Sequence, residues 1–347
     1  MRVAVTGSTG FIGRHVVAAL SSRGVQVRAI VRPSVVARPF SAFATLRRTH
    51  HGLGGGGQGR DPGGSERPAL QPEIVHAALD DPALLETFRD CDAVVHLAGV
   101  VSTVDDRDYA VVNVDVTRAV AAAARAAGAR LIHISSLAAA GPAPPSAPRR
   151  EDDPPRPITA YGRSKLESER VVREVGGLRW TILRPGIVYG PGDRAMLPLH
   201  RFARRGLLPL VGRRTAAYTM IHVGDLVRAI EAAIAREADG DTLFVGHPEP
   251  VSVREMLEAV RAASGRRAAI VPIPATLTRL AAAIGDIGGA MRGKPLAINR
   301  RRWTEMDAEG FSCRVDRLRD HLGIVAQIGV RDGFAHTAAW YREQGWL

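Results

Sequence analysis

Tyr161 and Lys165 are the residues whose types and spacing most directly suggest chemistry: they stand four positions apart in YGRSK, ahead of the helix-like run LESERVVREV. The chain holds five tyrosines and only two lysines in 347 residues, so chance would supply roughly 0.03 Tyr-x-x-x-Lys motifs against the composition baseline. On a helix, positions i and i+4 share a face, and a phenol and an ammonium placed there address one site. Such a pair can make a tyrosine acidic. A free phenol titrates near pH ~10, and bringing it to about 7 takes ~4 kcal/mol, about what one cation at ~4 Å provides at an effective dielectric of ~20.

The second chemical signal is at the start of the chain. RVAVT (2–6) reads as a buried strand, GSTGFIG (7–13) as a tight turn and RHVVAALSSRG as an amphipathic helix closing on Gly24, with the next strand at 25–31. Glycines at 7, 10 and 13 let backbone N–H groups approach a pyrophosphate, which then lies at the positive end of the helix dipole. Gly7, Thr9, Gly10, Phe11, Ile12 and Gly13 are therefore the expected dinucleotide contacts. An NAD-selective site wants a carboxylate on the adenosine ribose about 20 residues further on, whereas a 2′-phosphate wants arginine. No acidic residue precedes Asp61, and Arg32 closes the second strand, with Arg14 as a second candidate phosphate partner. The cofactor expected is NADP(H), with NAD(H) left open.

These groups need a scaffold, and the rest of the chain supplies alternating elements. A strand at 72–79, a helix at 81–90 started by Asp81 and Pro82, a strand at 91–99, a helix around 107–127 and a strand at 129–135 follow in turn. After a Pro-rich loop (142–157) come the helix bearing Tyr161 and a strand at 178–186. Alternation of this kind predicts an α/β fold of Rossmann type, a doubly wound parallel sheet with ligands at the carboxyl ends of its strands. A smaller, mainly helical C-terminal substrate lobe completes it. The expected division is a nucleotide domain over 1–190 plus 218–245 and a lobe over 191–217 plus 246–347. Residues 38–72, with eight glycines between 52 and 64, read as a flexible insertion. His50 and His51 there lack a third ligand by spacing, so no metal is expected.

Composition narrows the partners. The net charge of +12 rests on 47 basic residues, all arginine but two, scattered among acids instead of forming a basic stripe, which argues against nucleic acid. Cys91 and Cys313 lie far apart and suit a reducing compartment. No apolar run approaches the ~18 residues of a membrane span. A cytoplasmic protein acting on a small molecule is expected, and a homodimer is compatible with everything above.

The motifs GSTGFIG, HLAG, NVDVT (113–117), ISSLAAAG (134–141), YGRSK, LRPGIVYGPGD (183–193) and IHVGDL (221–226) stand in one order over about residues 1–245. In this the chain closely resembles the extended short-chain dehydrogenase/reductase family, also called the NAD(P)-dependent epimerase/dehydratase family. The resemblance implies that Ser136 hydrogen-bonds the substrate oxygen, that Tyr161 donates or accepts the proton, and that Lys165 lowers its pKa and holds the nicotinamide ribose. It implies a structural and proton-relay role for Asn113. It sets Leu79, Leu97, Ala98 and Gly99 along the nucleotide and a loop of Pro185, Gly186 and Val188 beside the nicotinamide. Each of three residues also has a plain structural reading: Ser136 capping a loop, Asn113 capping a helix, His222 satisfied in the core.

Departures from the family pattern select among its reactions. Family dehydratases carry an Asp-Glu pair after the active-site hydroxyl, where this chain has Leu137 and Ala138. Many epimerases have an arginine four residues before the histidine matching His222, where this chain has Tyr218. Ala78 stands where an aspartate near the adenine is common. Reduction of a ketone or aldehyde, or oxidation of the alcohol, on a small apolar or ring substrate is what survives. A sugar-nucleotide epimerase and a non-catalytic NADPH-binding subunit or sensor are the alternatives. In character the chain is most similar to the dihydroflavonol-reductase and 3β-hydroxysteroid-dehydrogenase side of the family.

Overall fold

The computed structural model describes residues 1–33, 70–79, 84–236, 238–294, 296 and 299–347. The expected insertion at 38–72, with His50 and His51, and the helix start at Asp81 and Pro82 fall almost wholly outside the described residues.

Seven strands form one parallel sheet: β1 (Arg2–Thr6), β2 (Gln26–Val31), β3 (Glu73–His76), β4 (Ala93–His96), β5 (Arg130–Ile134), β6 (Trp180–Pro185) and β11 (Asp241–Val245). Their spatial order is β11-β6-β5-β4-β1-β2-β3, so the direction of winding reverses between β1 and β4 and opens a crevice above their carboxyl ends. Alternate residues face opposite layers. Val3, Val5, Ala93, Val95, Ile132, Ile134 and Leu183 pack with α1 (Phe11–Ser22) and with the later helix Val223–Ala235. Ala4, Val94, Leu131 and Ile182 pack with the helices that follow β3, β4 and β5. These are α2 (Leu84–Phe88), α3 and α4 (Ala160–Glu174). α3 is a continuous helix made of Arg107–Tyr109, a π segment Ala110–Asp115 and Val116–Ala126. β3, expected over 72–79, is only four residues long because it is the exposed edge strand.

After β6 the chain leaves the main sheet. The expected loop beside Gly186 is a one-residue break: β7 (Ile187–Tyr189) starts immediately and pairs in parallel with β10 (Met220–His222). A Cβ on Gly186 would lie 2.1 Å from the Thr219 carbonyl oxygen, so glycine is what lets the two backbones approach. α5 (Leu197–Arg204), β8 (Leu207–Leu210) and β9 (Ala217–Tyr218) precede β10, and α6 (Val223–Ala235) follows it back to β11. The remainder is β12 (Val251–Ser252), α7 (Val253–Ser264), β13 (Ala269–Pro272), α8 (Ala275–Arg292), α9 (Arg300–Asp307), β14 (Gly310–Phe311), α10 (Asp316–Leu322) and α11 (Val330–Glu343). Tyr189, Leu208, Leu257, Val260 and Phe334 centre a second core here. Leu318 and Leu322 of α10 instead join the core under α1, and Asp225 of α6 accepts from the backbone N–H groups of Gln327 and Ile328 at 2.9 and 2.8 Å. The C-terminal segment is thereby fastened to the sheet layer.

Candidate active site

The glycine turn is built by contact between backbones. Gly7 adopts φ +67°, and a Cβ there would sit 2.7 Å from the Ala98 nitrogen. A Cβ on Gly13 would sit 2.2 Å from the Gly7 carbonyl oxygen. β1 and the segment after β4 thus touch with no room for side chains. Ser8 donates to the Ile30 carbonyl at 2.8 Å, tying the turn to β2. Gly10 caps α1 without a side-chain acceptor, so the first N–H donors of α1 point into the crevice. With Arg32 exposed just beyond β2, this cradle fits the diphosphate of a dinucleotide. Thr9, Phe11 and Ile12 line the same turn; Leu97, Ala98 and Gly99 form the facing wall, and Leu79 follows β3.

Asn113 ties that wall to the helix carrying Tyr161. Buried in the π segment, its Oδ1 accepts from Val100 N–H at 2.8 Å, and its Nδ2 donates to the Val100 carbonyl and to Ser164 Oγ, each at 3.0 Å. A Cβ on Gly99 would lie 3.0 Å from Asn113 Oδ1. Asn113 therefore fastens that wall to the helix, with both N–H groups of its amide in use.

Ser136 and Tyr161 meet because two turns dock backbone to backbone. Ser136 caps a 3₁₀ turn, Leu137–Ala139, accepting from Ala138 N–H at 3.2 Å. Thr159 caps α4, accepting from Gly162 N–H at 3.1 Å. A Cβ on Gly162 would lie 2.5 Å from the Ala138 carbonyl oxygen, so this glycine lets α4 begin directly against the turn of Ser136. Burial raises the Tyr161 phenol above its ordinary pKa, and the neighbouring Ser136 hydroxyl partly offsets this. The charges acting on it are Glu305 and Arg301 of α9, of opposite effect.

Lys165 has a partner that its helix spacing does not reveal. It is buried, and its ammonium donates to the Ile134 carbonyl at the end of β5, 2.7 Å away. Burial, partly offset by Glu169, holds its pKa down at about 8. Its charge bears on His96 and His133. The Ile134 carbonyl takes one of the three N–H donors of the ammonium.

Beneath Lys165 lies a polar layer that the sequence did not disclose. Thr117 donates its hydroxyl to the Asn113 carbonyl at 2.7 Å, so toward His96 Nε2, 3.0 Å away, it can only accept. The His96 proton is thus on Nε2, and Nδ1 accepts from the Thr6 hydroxyl at 2.7 Å. The same logic puts the His133 proton on Nε2: Ser168 donates to the Lys165 carbonyl at 2.7 Å and accepts from His133 at 3.0 Å. The two rings stack 5.4 Å apart. Burial and the nearby Lys165 hold both neutral, His96 at about 3 and His133 well below its usual value. Beside them Glu169 is buried and still ionised, accepting from Ser135 at 2.6 Å and from Arg184 at 2.8 and 2.7 Å. Seven-strand sheet and α4 are locked together by these bonds.

Arg301 is the other residue missed from sequence. Its guanidinium lies 5.7 Å from the centre of the Tyr161 ring and donates to the Val101 carbonyl, 200 positions away. His222, by contrast, has the structural part: its Nδ1 accepts from Gly224 N–H at 3.1 Å and caps α6. Tyr218 stacks on Phe311 at 6.4 Å, within a cluster that includes Leu137 and Ala140 of the Ser136 turn. Among the described residues no three metal-ligating side chains gather, and no helix is long and apolar enough to cross a membrane.

Residues 3–246 match the NAD dependent epimerase/dehydratase family. The chain belongs to that family. It is 30% identical to the ceramide reductase of Caulobacter vibrioides over 99% of this chain and 96% of that one. It is 28% identical to the 4-hydroxy-2-methyl-3-oxo-4-farnesyl-3,4-dihydroquinoline-1-oxide ketoreductase of Stigmatella aurantiaca, over 96% and 94%. Among solved structures, MoeE5 in complex with UDP-glucose and NAD matches with TM-score 0.73 and 25% identity over 99% of both chains. This family member is an NAD(P)-dependent enzyme of reductase, dehydrogenase or epimerase chemistry.

Proposed function

We propose that the protein is an NADPH-dependent reductase of a ketone carried by an apolar, lipid-like molecule. The observation that carries this reading is the wall around Ser136. Leu137 follows the hydroxyl where a dehydratase needs an acid, and Tyr218 packs on Phe311 where an epimerase would present an arginine to a diphosphate. Two relatives are named for reducing a ceramide and a farnesyl-bearing ring ketone, and both products of such names are hydrophobic.

When bound, the reduced nicotinamide supplies a hydride to the carbonyl carbon. Tyr161 gives its phenolic proton to the carbonyl oxygen as the C–O π electrons move there, yielding the alcohol, and regains a proton from solvent. Ser136 donates to the same oxygen and stabilises the developing alkoxide. Lys165, released from Ile134, would hold the nicotinamide ribose and favour the phenolate. Arg32 would take the 2′-phosphate, Pro185, Gly186 and Val188 would flank the nicotinamide, and residues 191–217 plus 246–347 would serve as the substrate lobe.

The test is incubation with NADPH and a panel of long-chain and cyclic ketones in detergent, set beside UDP-glucose. Net NADPH oxidation with the apolar ketones is expected. Interconversion of the sugar nucleotide without net cofactor turnover would establish the epimerase reading instead, which the likeness to a UDP-glucose complex keeps in play.

A further inference from the structure

α8 is built inside out. Its buried residues are small ones, Thr278, Ala282, Gly285 and Gly289, while Leu277, Leu280, Ile284, Ile287 and Met291 are between 57% and 84% exposed. The exposed five recur at spacings of 3, 4, 3 and 4, which at 3.6 residues per turn confines them to an arc of roughly 80° on the side away from the buried four. A helix that merely completed a soluble core would present the opposite arrangement.

The charges around this stripe indicate what covers it. Arg279 and Arg292 flank it on either side, Lys294 and Arg300 follow its end, and all four are exposed. The one acid on α8, Asp286, is paired with Arg300 at 3.3 Å. A second copy of this face would set these cations against each other. Five aliphatic side chains also fall short of the roughly 800 Å² that each partner gives to an interface of standard size. An apolar stripe bordered by Arg and Lys is instead the pattern of a helix lying in a lipid headgroup region, with apolar side chains among the acyl chains and cations at anionic headgroups. We infer that α8 docks the protein onto the surface of an anionic phospholipid bilayer, without crossing it.

The placement suits the active site. α8 packs on α9, the helix that lays Arg301 over Tyr161, so a docked protein holds its reacting groups beside the membrane surface. The inference does not rest on the ketone-reductase reading, since binding to vesicles is measured without turnover; a chain that docks but reduces no apolar ketone loses that reading alone.

Full-length protein would be sedimented with vesicles of phosphatidylcholine alone or mixed with phosphatidylglycerol. Partition into the mixed vesicles is expected, with loss at high salt, and Ile284→Glu combined with Ile287→Glu should weaken it at least about tenfold. That variant should retain NADPH binding, which shows that it is folded. Arg292→Gln with Lys294→Gln should weaken only the preference for phosphatidylglycerol. Wild-type protein left in the supernatant with both vesicle types overturns the inference, as does equal binding to both. A wild-type dimer that the double glutamate variant converts to monomer overturns it too, in favour of a second copy on the stripe.

Discussion

The two ends of the crevice are made by different means. At the nucleotide end, backbone meets backbone: Gly7 against Ala98 and Gly13 against Gly7 leave no space for a Cβ. At the end proposed for proton transfer, side chains from many elements converge, with Ser136 from the turn after β5, Tyr161 and Lys165 from α4 and Arg301 from α9. The first end depends on the absence of atoms and is therefore intolerant of any addition. The second depends on particular functional groups, and single atoms can be removed from it without disturbing the fold.

Opposite kinetic signatures should follow, and they are the largest effects expected. Tyr161→Phe removes one oxygen, so turnover should fall by about 10²–10⁴-fold while NADPH affinity, read by fluorescence titration, stays within a factor of about two. Gly13→Ala forces a methyl to within 2.2 Å of the Gly7 carbonyl oxygen, so cofactor binding should collapse and stability should drop by about 1–3 kcal/mol. If Tyr161→Phe lost binding and turnover together, the division between the two ends would be gone.

How much of this was legible depends on whether a role is carried locally. YGRSK and the glycine turn announce themselves because their residue types and spacing are written within a few positions, and strand alternation gives the parallel sheet. Arg301 could not be seen, since its partner Val101 is 200 positions distant and the chain is crowded with arginines. Glu169 reads as one charge among several on a solvated helix; only folding brings Arg184 to it. Gly186 looked like a loop glycine, yet it is the point where the chain passes between sheets. Helix spacing sets Lys165 beside Tyr161, and only the folded chain shows that its ammonium also meets the Ile134 carbonyl.

The histidine layer gives an effect of middle size, shared by both ends because Thr6 leads into the glycine turn and Lys165 lies above the rings. His96 has a folded pKa of about 3 against 6.5 ordinarily, and His133 is lowered too. Below pH 6.5 the unfolded chain takes up protons that the folded protein refuses, so stability is fully present above that value and declines as pH falls from 6.5 toward 3. Thermal melts between pH 7.5 and 5 should show a falling Tm. A flat Tm over that window would mean that these rings are not held neutral.

The smallest effect tests Arg32, the side chain proposed to take the 2′-phosphate. Arg32→Ala deletes an exposed guanidinium beyond β2 and changes no residue of the glycine cradle. A charge-assisted hydrogen bond to phosphate is worth about 1.5–3 kcal/mol, so NADPH affinity should fall by about ten- to a hundredfold, while NADH affinity should scarcely move. Cofactor preference would then rest on a side chain even where cofactor binding rests on the backbone, and equal losses for NADPH and NADH would instead assign Arg32 to the cradle itself.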